Sequence, residues 1–365
     1  MKKLLISLAA AMSLSFLSCG GGGKNEPVKN PPTIYVAGVK DSKATLWING
    51  KALQFSNTDR ESSAEFVFVS NNGDIYVAGR EHFSVYESRS KAKLWKVSNG
   101  VLKETIDLTD GNHPAAASFI SVIGNDVHVT GYDEVSSKLW KVSNGAIKET
   151  INLGVNEFRT FISGNNIYVT TQQQSGGARE PKLLKISNNG ILTETINLYD
   201  GPHIGSLTNG HSLFVSKNGD AYVSGWEARD YEYVPKLWKV SNGVVETINL
   251  NSKYDFYWPT ALSIFAHGNN IYVAEFAALL FNGWPPSPLP AYRNRVLKVS
   301  NGTVKVIADF GDNTRVDSIF VSDNGNVYVI GKNSDYVCLW VFSNDVLVET
   351  INLSNNGYAS SVLVK

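Results

Sequence analysis

The stretch Lys93-Leu94-Trp95-Lys96-Val97-Ser98-Asn99-Gly100 recurs almost unchanged along this chain. It returns at 138–145 and at 236–243, and each copy is followed within a few residues by Glu-Thr-Ile-(Asn/Asp)-Leu. A unit that repeats at intervals of about forty to sixty residues indicates a stacked or circular array. The repeated segments are rich in Val, Ile, Thr and aromatic residues and are bounded by Asn-Gly pairs, which is typical of short antiparallel strands.

Each repeat contains four strand-like segments, and three of them can be counted independently. The second segment carries a Tyr or a His, at Tyr35, Tyr76, His128, Tyr168, Tyr222, Tyr272 and Tyr328. The third carries a Trp or a Leu, at Trp47, Trp95, Trp140, Leu184, Trp238, Leu297 and Trp340. The fourth carries Leu53, Ile106, Ile151, Ile196, Ile248, Ile307 and Ile351. All three counts give seven units.

The two ends of the repeat region complement each other. The first unit begins directly with a second segment, Thr33-Ile34-Tyr35-Val36, whereas 358–364 matches a first segment with nothing after it. The sequence therefore predicts an all-β, seven-bladed β-propeller over residues 33–365, built of four-stranded antiparallel blades. The C-terminal strand would complete the N-terminal blade, which closes the ring and removes an exposed sheet edge.

A family resemblance supports this prediction. Gly73-Asp74-Ile75-Tyr76-Val77-Ala78-Gly79 and the segment 219–225 resemble the Gly-Asn-x-Tyr-Val-x-Gly strand of bacterial seven-bladed β-propeller repeats. The resemblance covers essentially all of 33–365 and implies the same fold and a location in the cell envelope. It implies no catalytic residues, because that family has none in common.

The N-terminal segment predicts export. Residues 1–18 combine two lysines with a short apolar run, the pattern of a signal peptide. Phe16-Leu17-Ser18-Cys19 resembles the lipobox of bacterial lipoproteins, which implies that Cys19 is lipidated and that 19–32 forms a flexible tether to the membrane. The alternative is ordinary secretion, with Cys19 left as a free thiol. We expect a lipid-anchored protein of the bacterial envelope, at the outer membrane, facing the periplasm or the cell surface.

Composition argues against several other functions. The 33 Lys and Arg residues balance the 33 Asp and Glu residues, so no basic surface for nucleic acid is indicated. The two cysteines, Cys19 and Cys338, provide no disulfide framework. The zinc-protease, nucleophile-elbow and Cys-x-x-Cys motifs do not occur. We therefore expect no metal and no cofactor, and we favour a non-catalytic protein.

The links between strands predict a plain face and a decorated face. Tight turns such as Asn71-Asn72-Gly73 and Asn99-Gly100 share one face of a propeller, whereas all the variation in length falls in the links on the other. Three of the eight Trp residues lie outside the repeated position, in long links of units five and six. The candidate binding residues are Trp226, Tyr231, Tyr233, Tyr254, Tyr257, Trp258, Phe281, Trp284 and Tyr292. Either they form a stacking platform for a ligand, or the long links use them to pack on one another.

The first strands provide a second candidate site, around the axis. Aligning them predicts a level of small hydroxyls that hold channel water, with Phe66 as the exception, at Ser118, Thr160, Ser212, Ser263, Ser318 and Ser361. The preceding level reads Glu65, Ala117, Arg159, His211, Leu262, Asp317 and Ser360. Of these, Glu65, Arg159, His211 and Asp317 would converge at the channel mouth.

Two functions from different classes follow from these sites. The first is a cell-envelope module that binds a glycan, a peptide or a partner protein through its loop-rich face. The alternative is a propeller hydrolase or lyase that uses Glu65, Arg159, His211 and Asp317. A scaffold that organises other envelope proteins is a third possibility, and nothing in the sequence indicates an oligomeric state.

Overall fold

The computed structural model describes residues 31–365 except 57–58, 84–88, 135, 155–158, 176–177, 199–211, 230–231, 251–255, 280–291 and 312–313. The side chains of 172–175, 178–179, 226–229, 232–233, 256–262, 277–279 and 292–293 also lie outside the description. The compact unit formed by the repeats spans Thr33–Lys365.

Twenty-eight strands, numbered in chain order, form seven four-stranded antiparallel sheets, which are the blades. The first strands of blades one to seven are β28 (Tyr358–Val364), β4 (Ser62–Val69), β8 (Ala115–Ile123), β12 (Arg159–Ser163), β16 (Ser212–Val215), β20 (Phe256–His267) and β24 (Arg315–Val321). The second strands are β1 (Ile34–Lys40), β5 (Ile75–His82), β9 (Asp126–Asp133), β13 (Asn166–Ser175), β17 (Ala221–Arg229), β21 (Asn270–Leu279) and β25 (Val327–Lys332).

The outer half of each blade follows the same order. The third strands are β2 (Lys43–Ile48), β6 (Ser90–Ser98), β10 (Ser136–Ser143), β14 (Ala178–Ser187), β18 (Glu232–Ser241), β22 (Tyr292–Ser300) and β26 (Val337–Ser343). The fourth strands are β3 (Lys51–Gln54), β7 (Val101–Asp107), β11 (Ala146–Asn152), β15 (Leu192–Asn197), β19 (Val244–Asn249), β23 (Thr303–Asp309) and β27 (Val346–Ser354). The predicted seven-bladed fold is thus confirmed.

The blades close into a ring around a central channel. Each first strand contacts the first strands of both neighbouring blades, and the contacts continue from β24 through β28 to β4 without a break. The closure joins the two ends of the repeat region: β28 pairs antiparallel with β1, and Thr33 N donates to Lys365 O at 2.7 Å. Blade one is therefore completed by the C-terminal strand.

Large apolar side chains on the third strands hold neighbouring blades together. The repeated position is buried in every blade, at Trp47, Trp95, Trp140, Leu184, Trp238, Leu297 and Trp340. Trp95, for example, packs among Ala37 and Leu46 of blade one and stacks on Phe55 with ring centroids 5.1 Å apart. Burial of these side chains, five of which are Trp, is a large apolar contribution to the packing of blade on blade.

The Asn-Gly pairs form the tight turns that the sequence predicts. Asn99 and Gly100 both have positive φ, at 52° and 72°, and the same conformation recurs at Asn144-Gly145, Asn242-Gly243 and Asn301-Gly302. Positive φ at both central positions defines the hairpin turn that matches strand twist. The first strands run toward the same face, since β4 ends at the tight turn before β5. The opposite face therefore carries the longer links.

Across the described residues, no helix is long and apolar enough to span a membrane.

Candidate functional site

The central channel opens into a cavity of about 670 Å³. Its walls come from the first strands of all seven blades, with Arg80 of β5 and Tyr132 of β9 added from second strands. Its polar lining includes Glu65, Arg80, Tyr132, Arg159, Arg315, Asp317, Tyr358 and Ser360, which lie at or near the start of first strands or beyond the middle of second strands. This end of the channel is on the loop-rich face, and we call it the channel mouth. Its volume lies within the usual range for small-molecule sites.

A β-bulge positions the acidic side chains of the channel mouth. In blade two the pairing of β4 with β5 skips Glu65, since Ala64 pairs with Gly79 and Phe66 with Ala78. The equivalent extra residues in blades one, three, six and seven are Ser360, Ser118, Leu262 and Asp317. A bulge leaves one residue outside the ladder and redirects its side chain, and such bulges are common beside functional sites.

The bulge explains why the Tyr-Val-x-Gly motif of the second strand has glycine at its last position. A Cβ on Gly79 would lie 1.9 Å from the carbonyl oxygen of Ser63, and one on Gly331 would lie 1.9 Å from that of Arg315. The same backbone approach occurs at Gly131 and Gly38. The Tyr-Val-x-Gly motif thus carries a signal for the bulge that sequence reasoning missed.

The observed pairing corrects the alignment of first strands. Arg159 pairs with Thr170 and Phe119 with Thr130, which places both at the level of Phe66. At that level small hydroxyls occur only in blades five, six, seven and one, at Ser212, Ser263, Ser318 and Ser361. Ser118 is a bulge residue, and Thr160 lies one step along its strand. The predicted hydroxyl level was therefore wrong in blades three and four, where matching residues by their hydroxyl groups moved the alignment one residue away from the observed register.

Two of the hydroxyls at this level bind the protein itself. Ser212 Oγ accepts a hydrogen bond from Ile264 N at 3.1 Å, and Ser263 Oγ accepts one from Ile319 N at 3.2 Å. Each bond joins the first strand of one blade to that of the next. These serines therefore connect neighbouring blades.

Phenylalanines line the channel below the polar mouth. Successive ring centroids lie 4.5 to 5.5 Å apart along an arc through six blades, formed by Phe66, Phe119, Phe161, Phe214, Phe265 and Phe320. All six line the cavity and are partly exposed. The sequence analysis did not identify this arc, although a Phe occurs in each of these first strands.

One ion pair and two hydrogen bonds connect the polar groups of the mouth. Arg315 Nε lies 2.6 Å from Asp317 Oδ1. Ser63 Oγ donates to Glu65 Oε1 at 2.6 Å. Arg80 Nη1 donates to Tyr132 Oη at 3.4 Å, which joins blade two to blade three.

Two buried polar atoms of the mouth have no partner among the residues that the structure describes. They are Asp317 Oδ2 and Arg80 Nε. The Asp317 side chain is only 8 % exposed, whereas that of its partner Arg315 is 69 % exposed. An unpartnered buried polar atom costs about 1–3 kcal/mol, and each one in a native protein requires an explanation, such as strain, a functional role, or a bound water or ion.

Burial controls ionisation at the mouth. Burial raises the pKa of Asp317, against the opposing effect of the Arg315 guanidinium. Burial also raises the pKa of Tyr358, with the Glu65 carboxylate acting in the same direction, so this hydroxyl remains a proton donor at neutral pH. The mouth thus offers guanidinium donors, carboxylate acceptors and phenol groups around one cavity.

Comparisons with known proteins identify the architecture. No protein-family model matches the chain, and no curated protein is similar to it in sequence. A putative 6-phosphogluconolactonase from Bacteroides uniformis has a TM-score of 0.54 at 11 % identity, over 92 % of this chain and 99 % of that one. A quinonprotein alcohol dehydrogenase-like protein from Bacteroides thetaiotaomicron has a TM-score of 0.55 at 11 % identity, over 91 % and 77 %.

A protein from Lactobacillus plantarum has a TM-score of 0.54 at 13 % identity, over 92 % of this chain and 99 % of that one. These similarities show the fold alone. The function of this chain must therefore be argued from its own residues.

The structure places three of the four predicted mouth residues together. Glu65, Arg159 and Asp317 all line the cavity, and His211 lies outside the described residues. Sequence reasoning missed Arg80, Tyr132, Arg315 and Tyr358, which line the same cavity. Arg80 and Tyr132 follow the glycine of the second strand directly, so their spacing from that motif was the available signal.

The predicted aromatic platform lies outside the description. Tyr231, Tyr254, Phe281 and Trp284 are not described, and for Trp226, Tyr233, Tyr257, Trp258 and Tyr292 only the backbone is. The backbone pairing of Trp226 is nevertheless described. It follows Gly225 on β17 and pairs with Pro235, the position that Arg80 and Tyr132 hold in blades two and three.

Metal ligands are not grouped in the described part of the chain, where no three His, Cys, Asp or Glu side chains are arranged to hold an ion.

Proposed function

We propose that this chain is a non-catalytic binding module that takes a small ligand, or one group of a larger one, into the channel mouth. One observation carries the proposal. A cavity of about 670 Å³ is lined by convergent charged groups, and Asp317 Oδ2 and Arg80 Nε are buried there without a partner in the described structure. A ligand that supplied those partners would recover the free energy that their burial costs.

The chemistry of the mouth fits the ligands expected from the sequence, which are a glycan, a peptide or an exposed group of an envelope protein. Guanidinium groups give directional donors, and the phenylalanine arc gives an apolar surface beneath them. The aromatic residues of 226–292 stay a prediction for the same face, where they would extend the contact area beyond the channel.

The test is a glycan-array and peptide-array screen of the purified mature protein in detergent, followed by titration of each hit. We expect binding to be lost in Asp317→Asn, which removes a charge from the mouth. Lys148→Ala is the matched control, because Lys148 is exposed on the outermost strand β11. A Trp258→Ala variant separates the two parts of the face: loss of binding in Trp258→Ala alone would move the site to the aromatic links and contradict the proposal.

A second candidate, a hydrolase or lyase, is favoured by one observation. Burial raises the pKa of Asp317, and a raised pKa is the direction that a carboxyl group needs to act as a general acid. Glu65 in the same cavity would be the second carboxyl group. Incubating each array hit with the protein distinguishes a binding module from a hydrolase or lyase. A product that forms with the native chain and not with Asp317→Asn would support the catalytic function.

We also propose that the chain is a lipoprotein anchored in the bacterial envelope through Cys19, at the outer membrane. The resemblance of 16–19 to a lipobox supports this. Labelling cells with a palmitate analogue should label the native chain and not Cys19→Ala, and the variant should leave the membrane fraction. Membrane retention of an unlabelled Cys19→Ala chain would contradict lipid anchoring.

A further inference from the structure

The charged groups of the channel mouth are concentrated in neighbouring blades. Arg315 and Asp317 belong to blade seven, Tyr358 to blade one, and Glu65 and Arg80 to blade two. Tyr358 lines the same cavity as Glu65, Arg80 and Arg315. Three neighbouring blades thus bring two arginines, two carboxylates and one phenol to one end of the channel.

Building on the proposed function, we propose that the channel mouth binds an acidic sugar, meaning a hydroxyl-rich ring that carries a carboxylate, sulfate or phosphate group. The anionic group would lie between Arg80 and Arg315. A ring hydroxyl would donate to Asp317 Oδ2, and the apolar face of the ring would rest on Phe66 and Phe119.

The first step of the argument concerns the anion. Arg80 Nε is buried with no acceptor among the described residues, and its Nη1 makes only a long bond to Tyr132 Oη, at 3.4 Å. Arg315 uses Nε to bind Asp317, and within the described structure no other acceptor engages its guanidinium. Guanidinium groups bind carboxylate, sulfate and phosphate in a bidentate manner with charge-assisted hydrogen bonds. The two arginines therefore favour an anionic group.

The second step concerns the hydroxyls. Asp317 Oδ1 is already neutralised by Arg315, so the remaining oxygen, Oδ2, belongs to an ion-paired carboxylate. Such an oxygen is a good acceptor for a neutral hydroxyl, and it has little net charge to attract a second cation. Glu65 and Tyr358 provide further acceptor and donor positions on the same rim. A polyol satisfies this set better than a single anion does.

The third step concerns the apolar floor. Phe66 and Phe119 lie at one level of the channel, with ring centroids 4.5 Å apart, and both line the cavity below the charged groups. A sugar ring presents polar edges and an apolar face of C–H groups. An aromatic surface under convergent polar side chains matches that shape, since the ring face covers the phenylalanines while its edge meets the arginines.

A peptide fits these observations less well. Three guanidinium groups, those of Arg80, Arg159 and Arg315, line the described mouth beside two carboxylates, Glu65 and Asp317, so the excess positive charge disfavours an ammonium group. A zwitterionic peptide is nevertheless an outcome that the experiment below can detect.

The experiment is isothermal titration of the purified mature protein with trigalacturonic acid, and with the neutral galactose trisaccharide as the matched ligand. Galactose 6-sulfate and galactose 6-phosphate separate the carboxylate from the other two anions. We expect at least one acidic ligand to bind about tenfold more tightly than its neutral counterpart, and its affinity to fall as salt is raised.

Variants assign the effect to the mouth. Arg80→Ala and Arg315→Ala should each weaken the acidic ligand by about tenfold. Arg80→Ala should leave the neutral ligand unchanged, whereas Arg315→Ala should weaken that ligand as well, because Asp317 then loses its ion-pair partner. Arg80→Lys should restore part of the loss, Asp317→Asn should weaken both ligands, and Lys148→Ala should change neither. Thermal unfolding of each variant checks that it is folded. If Arg80→Ala does not fold, Arg315→Ala still provides the test, because Arg315 is largely exposed.

Four results would overturn the inference. Equal affinity for acidic and neutral sugars, or native affinity in both arginine variants, removes the anion site. Binding of a zwitterionic peptide that depends on Asp317, with no binding of any acidic sugar, leaves the proposed function in place and replaces the ligand class. Array hits that are all indifferent to Asp317→Asn would contradict the proposed function as well.

Discussion

Single residues of the repeated phrase each have a structural role. Lys96 Nζ lies 3.3 Å from Asp74 Oδ2 and 3.6 Å from Glu104 Oε1, and 5.9 Å from the ring centre of Tyr76. Lys93 Nζ lies 2.6 Å from Asp107 Oδ1 of the fourth strand. The repeat of Tyr, Lys, Glu and Asn/Asp along the sequence is thus a repeat of contacts across the strands of one blade.

The buried Trp provides the largest of these contributions. We predict that Trp140→Ala lowers the free energy of unfolding by about 3–5 kcal/mol, because its ring is buried among Ala78 and Leu94 of blade two and Ile120 of its own blade. Urea unfolding measures this. Val244→Ala is the control, since Val244 is 70 % exposed and should change stability by about 0.5 kcal/mol or less. Equal effects would contradict the assigned packing role.

Asp317 should make stability depend on pH. Burial raises its pKa in the folded chain, so the stability that Asp317 contributes is greatest below the usual Asp value of 3.8 and is lost as pH rises through the raised pKa. The Asp317→Asn variant has no carboxyl group at this position and so does not lose this stability as pH rises. The difference in melting temperature, variant minus native protein, should therefore be larger at pH 7 than at pH 3.

Asp345 serves as a control, because its contribution to stability should depend on pH in the opposite direction. Although burial acts against it, hydrogen bonds from Lys305 and Lys298 lower the pKa of Asp345. The stability that Asp345 contributes is present at neutral pH and is lost as pH falls through the lowered pKa. Asp345→Asn should thus cost stability at pH 7 and little in acid. The same pH trend in both variants would contradict the assignment for Asp317.

At the scale of the strand, the bulge of the first strand is the element that places the site. We predict that Gly79→Ala disrupts it, because the new Cβ would lie 1.9 Å from Ser63 O and the backbone must shift. The expected cost is about 1–3 kcal/mol together with weaker ligand binding, since Glu65 is the bulge residue. Thermal unfolding and titration measure the two effects.

Gly73→Ala is the matched control for that variant. Gly73 has φ of 85° with nothing within 4 Å of an added Cβ, and it lies in a tight turn on the opposite face. Its substitution should cost about 1–2 kcal/mol through backbone strain and leave binding unchanged. Loss of binding in both glycine variants would show that general destabilisation, and not the bulge, reduces affinity.

The strands and turns were predicted from sequence, whereas the bulges were missed, because the second-strand glycine does not show which residue of the first strand is the added one. Alternating apolar residues and the Asn-Gly pairs specify the strand order and the hairpins locally. The bulge adds one residue to the first strand, and only the pairing with the second strand shows which residue it is. For this reason the aligned positions of Glu65 and Asp317 were right, whereas Ser118 and Thr160 were assigned to the wrong level.

At the scale of the whole molecule, closure between β28 and β1 makes the ring cooperative. We predict that a circular permutant, with Lys365 linked to Thr33 and new ends at Asn242-Gly243, folds to the native circular dichroism spectrum, because the old ends are already hydrogen-bonded to each other. Deletion of 358–365 should abolish the cooperative thermal transition. Native-like melting of the deleted chain would contradict the role of closure.

Only part of the site follows from the sequence at this scale. A ring of seven first strands predicts a channel, and the residues of one level can be listed by alignment. Arg80 and Tyr132 belong to second strands and reach the mouth only because the ring brings these strands beside it. The phenylalanine arc likewise requires contacts between blades that are distant in sequence, such as Phe66 with Phe119.

A crystal structure of the protein with a bound acidic oligosaccharide tests the central claim most directly. We expect ligand density in the channel mouth, with an anionic group in contact with Arg80 and Arg315 and a hydroxyl at Asp317 Oδ2. Ligand density confined to another surface of the propeller, with only water in the mouth, would contradict it.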